Sequence, residues 1–330
     1  SAVTALGTAQ VQALSTGQVR DMSSSVLQSL NSAQVKALTS SQLNALSSTL
    51  VQALTSTELL ALSTAQVQSL NTQLLNNLST DQVTQLAPAS VKAINTTALQ
   101  EVTTQQLNAL TSSQVQALSS SQLNALGSVA VQGLSSSDLN TLTTAQISGL
   151  NSATLNKLTA TQVEQIETGQ LVAISSVALR SLGTVQLNAL TSVQLQALSS
   201  SQVNALTSAQ LNAIDAVQLT NLSSTQVGNL TSVQLNALTS TTLQAIETSD
   251  LQAMTTVQTQ ALSSAQLNKL SEDQVQALTS TQLRSLTSTQ LNALSSTALQ
   301  ALGSEQVNAL TSTQVGALTA ATLNKLSTAQ

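Results

Sequence analysis

Few residues in this chain have the side chains that enzymes use. His and Cys are absent, and the 330 residues hold only 13 Asp or Glu and 8 Lys or Arg. Without His or Cys there is no zinc site of the usual kind, no imidazole base and no thiol nucleophile. Serines are abundant, but a serine needs a neighbouring base to act as a nucleophile. We therefore predict that the chain is not an enzyme and has no catalytic and no cofactor-binding residues.

Some acidic side chains lie close enough in sequence to share a cation or to work as paired carboxylates. Carboxylate oxygens are the ligands that Ca²⁺ prefers. Most of these acids also fall where short helices are predicted to begin, and a helix dipole favours negative charge there. We take all of them except Glu164 as helix-start acids and predict no metal site at Glu164 with Glu167, Glu247 with Asp250, or Glu272 with Asp273.

An eight-residue repeat organises the chain. Every eighth residue from Val3 to Leu323, called the first anchor, is Val, Leu or Ile except at Thr259; three residues later, the second anchor is always Leu, Ile, Val or Met. In one long helix eight residues overshoot two turns by about 80°, so the anchors would spiral around it. In a strand a spacing of three places them on opposite faces. The pattern predicts a two-turn helix and a corner in each octad.

Polar residues mark where each helix begins. The residue after the second anchor, the cap slot, is Ser, Thr, Asn, Asp or Gly in 38 of 41 octads. Those types are favoured helix N-caps. Three residues further on, the glutamine slot holds Gln in 27 of 42 places, which predicts capping boxes such as Thr111 with Gln114. Pro88 follows a cap slot, at the first helical position, where its missing N–H costs nothing.

The expected architecture is an all-α solenoid of about 41 octads, forming one continuous domain over residues 1–330. Ser1 and Gln330 both fall within an octad, so we expect a segment of a longer array. Three helices per turn are suggested because a non-Gln residue recurs in the glutamine slot every 24 residues at the start of the chain, at Ala2, Val26, Leu50, Leu74 and Ala98.

Charge and hydropathy restrict the partners. Eight scattered cations and a net charge of −5 cannot neutralise a phosphate backbone, so nucleic acid is not expected. Polar residues interrupt every apolar run, so no membrane insertion is expected. The residue after the first anchor, the amide slot, is mostly Asn or Gln, and it is predicted to be exposed.

Two resemblances bear on function. The phrase Leu-Thr-Ser-Thr-Gln-Val, at 310–315, is similar to the opening helix of the repeats of transcription-activator-like effectors; the likeness covers that helix start alone. The whole chain, free of Cys and poor in charge, resembles low-complexity octapeptide-repeat tracts of very large secreted bacterial surface and adhesin-like proteins. That second resemblance implies an extracellular or cell-surface location.

These observations favour a structural fibre, filament, stalk or spacer that associates with itself end to end or laterally. Its neutral surface offers little charge repulsion between copies. The alternative is a repeat-based binding module, either an adhesin that contacts cell-surface or matrix components or an ice-binding surface made of rows of Ser and Thr.

Overall fold

The computed structural model describes residues 2–328 and 330. These residues form a 3₁₀ helix and 40 α-helices of four to six residues each, with no strand among them. The prediction of an all-helical repeat protein is confirmed. The chain divides into two compact units, Ser1–Ile174 and Ser175–Gln330.

The helices of the first unit follow the octads one by one. Their bounds are η1 Ala2–Ala5, α1 Thr8–Gln12, α2 Thr16–Arg20, α3 Ser24–Gln28, α4 Ser32–Ala37, α5 Ser40–Asn44, α6 Ser48–Ala53, α7 Ser56–Ala61, α8 Thr64–Gln68, α9 Thr72–Asn77, α10 Thr80–Thr84, α11 Pro88–Ala93, α12 Thr96–Leu99, α13 Thr104–Asn108, α14 Ser112–Ala117, α15 Ser120–Ala125, α16 Ser128–Gly133, α17 Ser136–Thr141, α18 Thr144–Ser148, α19 Ser152–Leu155, α20 Ala160–Glu164 and α21 Thr168–Leu171.

The second unit continues in the same register. Its helices are α22 Ser176–Arg180, α23 Thr184–Asn188, α24 Ser192–Ala197, α25 Ser200–Ala205, α26 Ser208–Ala213, α27 Ala216–Leu219, α28 Ser224–Gly228, α29 Ser232–Ala237, α30 Ser240–Gln244, α31 Thr248–Gln252, α32 Thr256–Ala261, α33 Ser264–Leu267, α34 Glu272–Ala277, α35 Ser280–Ser285, α36 Ser288–Asn292, α37 Ser296–Ala301, α38 Ser304–Asn308, α39 Ser312–Gly316 and α40 Ala320–Leu323.

Within each unit, helices pack mainly against the third helix before them and the third after them. In the first unit α11 lies between α8 and α14, and in the second α31 lies between α28 and α34. One coil therefore contains three octads, or 24 residues, as the spacing in the glutamine slot suggested. Because a lone helix this short is unstable in water, its stability comes from the coils above and below.

The helices are shorter than the two full turns that were predicted, because the last turn closes tightly. The N–H of Leu118 donates to the carbonyl of Val115 at 3.2 Å, a bond between second and first anchor that recurs along the chain. Such a three-residue bond is typical of a 3₁₀ turn at a helix end. It ends the helix at the second anchor and leaves the corner short.

The corner itself consists of two extended residues. Leu118 has φ −62° and ψ 136°, and the next residue, the cap Ser119, has φ −76° and ψ 156°. Throughout the described part of the chain no residue has a positive φ. Many helices end at a left-handed glycine, whereas these corners need none, so any small polar residue can occupy the cap slot.

Both anchors face the interior of a coil. In the first unit the anchors of successive helices, from Leu123 and Leu126 to Leu139 and Leu142, line one narrow apolar space. Interior anchors are nearly all buried; Val115 is 1 % exposed. Thr259, the one polar first anchor, is also fully buried, and its hydroxyl donates to the Thr255 carbonyl within the same turn at 3.0 Å. Within residues 2–328 and 330, no helix is long and apolar enough to cross a membrane.

Candidate functional site: amide ladders at the corners

Capping boxes form in most octads that hold Gln in the glutamine slot. The Thr111 N–H donates to Gln114 Oε1 at 2.8 Å, and the Gln114 N–H donates to Thr111 Oγ1 at 3.4 Å. Helices whose cap slot holds Glu167, Glu247 or Ala87 lack the side-chain cap bond, and Pro88 opens its helix after Ala87. The predicted helix starts are thus confirmed.

The capping glutamine also binds the coil before it, which the sequence reasoning missed. Gln114 is only 1 % exposed. Its Nε2 donates to the carbonyls of Val83 at 2.8 Å and Leu86 at 2.6 Å, which are 31 and 28 residues earlier. These are the anchor carbonyls at the end of α10, where few N–H groups of the same helix remain as partners; the Val83 carbonyl also accepts the Leu86 N–H at 3.1 Å.

The same pair of bonds recurs along both units. Gln146 donates to Val115 and Leu118, and Gln226 to Leu195 and Leu198, at 2.7 to 2.9 Å. The third helix after a given helix packs against it. The start of the fourth helix after it therefore lies beside that helix's end. One glutamine therefore satisfies the start of its own helix and the end of another. We call this series of bonds the glutamine ladder.

Other donors serve this ladder where the glutamine slot lacks Gln. Thr322 occupies the slot in α40, and Lys325 Nζ donates instead to the Leu294 carbonyl at 2.8 Å. Lys157 supplies the same bond to Leu126. At the start of α12 the glutamine slot holds Ala98. There the Nδ2 of the cap residue Asn95 donates to the carbonyls of Gln68 and Leu70 at 2.8 and 2.9 Å.

The amide slot makes a second ladder, directed to the following coil. Asn44 Nδ2 donates to the Ser69 carbonyl at 2.8 Å, and Asn44 Oδ1 accepts the N–H of the cap residue Asn71 at 3.0 Å. Asn124 makes the equivalent bonds to Gly149 and Asn151. This slot was predicted to be exposed. Asn44 and Asn124 are only partly exposed, because their side chains join coils; we call the series of bonds the asparagine ladder.

The two ladders compete for the N–H of the cap residue. Where Asn76 accepts the Thr103 N–H, at 3.1 Å, the capping box of α13 does not form and Gln106 Oε1 is buried without a partner. Asn140 and Gln170 show the same relation at Glu167.

An amide-slot asparagine also serves several octads that lack a capping glutamine. Asn44, Asn124 and Asn212 accept the cap N–H of octads whose glutamine slots hold Leu74, Thr154 and Thr242. The side chain that satisfies a cap N–H therefore varies from octad to octad, although the group that needs a partner stays the same.

Acids occupy the glutamine slot in a few octads, and two of them, Glu58 and Asp250, are buried there. Glu58 is 3 % exposed; its Oε2 accepts the Thr55 N–H at 2.7 Å, whereas its Oε1 has no partner. That oxygen takes the place of the Nε2 with which a glutamine would reach the carbonyls of Leu27 and Leu30. Asp250, 5 % exposed, accepts the Ser224 hydroxyl at 2.6 Å.

The acidic pairs singled out in the sequence are not assembled into a larger cluster. In the part of the chain that the structure describes, no group of three or more Asp or Glu is placed to hold a metal ion. Glu247 is the N-cap residue of α31 but makes no side-chain cap bond, and Glu272 and Asp273 lie in the first turn of α34, as the helix-start interpretation predicts.

Comparison with known proteins adds a repeat family. Residues 163–200, 243–280 and 283–320 match the ALTTAQ repeat, and each matched stretch begins at a first anchor. No curated protein matches the chain. The chain is a helical repeat protein, and the octads in these stretches are similar to ALTTAQ repeats.

Proposed function

We propose that this chain is a structural spacer or filament element, extracellular or at a cell surface, in which coil stacks on coil. The observation that carries the proposal is the pair of ladders. The most buried amide side chains, such as Gln42 and Gln114, bind the preceding coil. Because these bonds join neighbouring coils, the side chains that make them serve cohesion along the coil axis.

End-to-end self-association would use the contact between stacked coils, in which the anchors are buried. In the last octads the anchors Val315 and Leu323 are 46 % and 45 % exposed, whereas the interior anchor Leu299 is 3 % exposed. A further coil would bury them, whether it belongs to a continuing chain or to a second copy. Burying a Val or Leu side chain contributes about 1.5–3 kcal/mol. A head-to-tail contact of this kind does not close and produces filaments.

Negative-stain microscopy and sedimentation of the purified 330-residue chain test this proposal. We expect filaments whose number grows with concentration, and Leu323→Asp with Val315→Asp should shorten them. A matched control places Asp at Ser312, an exposed position of the same helix as Val315. A monomer at every concentration, unaffected by the anchor substitutions, would contradict end-to-end association.

A binding module is the second candidate, favoured by the second position of each helix. That position is exposed and varies more than the buried slots; it holds Gln73, Asp81, Ser121 and Val129 in different octads. Adhesin-type binding to matrix components and ice binding both remain within this proposal. Freezing-point hysteresis of the purified chain would reveal an ice-binding surface.

A further inference from the structure

Valine is exposed in one position of the octad. The second helical residue, elsewhere mostly Ser, Thr or Ala, is a strongly exposed Val in seven octads of the described chain, six of them in the second unit. They are Val129, Val177, Val185, Val193, Val217, Val233 and Val257, between 64 % and 80 % exposed. Valine is a weaker helix former than alanine, and its exposure in water gains nothing. Exposed apolar side chains commonly mark a contact surface where they lie next to one another.

Three of these valines lie on one side of the second unit. Val185, Val233 and Val257, with the exposed Ala209 between the first two, occupy the same position in α23, α26, α29 and α32; we call these four residues the valine ridge. Helix α26 packs on α23 and α29 on α26. The neighbouring side begins similarly with Val193 and Val217 but continues with Thr241 and Ala265.

The asparagine ladder holds the ridge helices in line. Asn188 donates to Ala213, Asn212 to Ala237 and Asn236 to Ala261, at 2.8 to 3.0 Å. Asn212 and Asn236 also accept the N–H groups of Thr239 and Ser263. The ridge is therefore carried by four successive coils joined by side-chain bonds, and its spacing is the repeat of the coil itself.

The four helices that carry the ridge have no charged residue. None stands in α23, α26, α29 or α32, and the cap slots before these helices hold Gly183, Thr207, Thr231 and Thr255. A charged partner would lose water there without gaining an opposite charge. The surface thus fits a neutral partner with apolar side chains.

We propose that the valine ridge is a lateral docking surface for the valine ridge of a second copy of this chain. A partner that contacts several of these valines at once must present apolar groups at the same spacing, about 9 Å for stacked helices. A second copy has that spacing by construction, and its ridge is equally uncharged. Pairing of identical surfaces is the usual form of a two-fold interface. The inference rests on the proposed structural role and assigns to it the side by which filaments pair.

Lysine substitution tests the ridge without disturbing the core. The variant Val185→Lys with Val233→Lys and Val257→Lys places like charges on both facing ridges. The matched control carries Ser201→Lys, Thr225→Lys and Ser249→Lys, which are exposed second-position residues on another side of the same unit. In electron micrographs the wild type and the control should form paired filaments, and the ridge variant should form single ones.

The outcomes separate this inference from the proposed function. Single filaments in the wild type, or equal pairing in the ridge variant and the control, would overturn the ridge while leaving end-to-end stacking intact. A wild type that stays monomeric would overturn both.

Cysteine scanning gives a second readout, because the chain has no Cys of its own. Under mild oxidation, single substitutions Val185→Cys, Val233→Cys and Val257→Cys should give covalent dimers in higher yield than the control Thr225→Cys. Equal yields would contradict ridge-to-ridge pairing.

Discussion

Asn76 Oδ1 accepts the Thr103 N–H at 3.1 Å, and Gln106, the glutamine of that octad, has its Oε1 buried without a partner. At Asn44 the corresponding glutamine slot holds Leu74. Removing the two asparagines should therefore have different effects. After Asn76→Ala, Gln106 can close an ordinary capping box with Thr103, whereas after Asn44→Ala no side chain can replace the lost acceptor.

The expected difference between these two variants is about 0.5–1 kcal/mol in the free energy of unfolding, the value of one modest hydrogen bond. Urea denaturation followed by circular dichroism measures it. In a double-mutant cycle, Gln106→Leu should cost more in the Asn76→Ala background than in the wild type. Equal costs for Asn44→Ala and Asn76→Ala would show that the two ladders do not compete.

Gln114→Glu tests the glutamine ladder at a fully buried position. Glutamate keeps an acceptor for the Thr111 N–H but loses the donor to the Val83 and Leu86 carbonyls. We expect the free energy of unfolding to fall by about 2–3 kcal/mol, because the buried carboxylate would then face carbonyl oxygens with no donor between them. The control Gln132→Glu introduces the same change at an exposed side chain and should leave the urea midpoint nearly unchanged. Similar losses in both variants would contradict the ladder.

Glu58→Gln should have the opposite sign. The substitution keeps the acceptor for the Thr55 N–H and replaces the unpartnered Oε1 with an Nε2 donor toward the carbonyls of Leu27 and Leu30. We expect the protein to become more stable by about 1–2 kcal/mol. Thermal unfolding of this variant beside Gln66→Glu, the reverse change in the next octad, measures the effect; a stabilised Gln66→Glu would refute the assignment of the slot.

The cap slot can be separated from its neighbour by alanine substitution. Thr207 Oγ1 accepts the Gln210 N–H at 3.1 Å, whereas the hydroxyl of Ser208 takes no part in the cap. Thr207→Ala should cost about 1 kcal/mol and Ser208→Ala much less. Equal losses of stability in urea denaturation would show that Thr207 is not the residue that caps the helix.

Much of the local structure could be predicted from the residues alone. Thr111 and Gln114 form the capping box that their spacing indicates, and Pro88 opens a helix where its lack of an N–H is harmless. The amide slot was misjudged at Asn44, because a polar side chain after a buried anchor looks exposed on an isolated helix. Its bonds to Ser69 and Asn71 form only when the following coil packs beside it.

The sequence by itself determined where each helix begins and that the anchors are buried, because those features depend on bonds and periodicity within one octad. The partners of Gln114, which lie 28 and 31 residues earlier, were decided by the tertiary structure, as was the outcome between Asn76 and Gln106. The physical reason is that these contacts depend on the angle through which the chain turns at each corner. That angle, accumulated over three corners, sets which octads lie on one another, and no single octad specifies it.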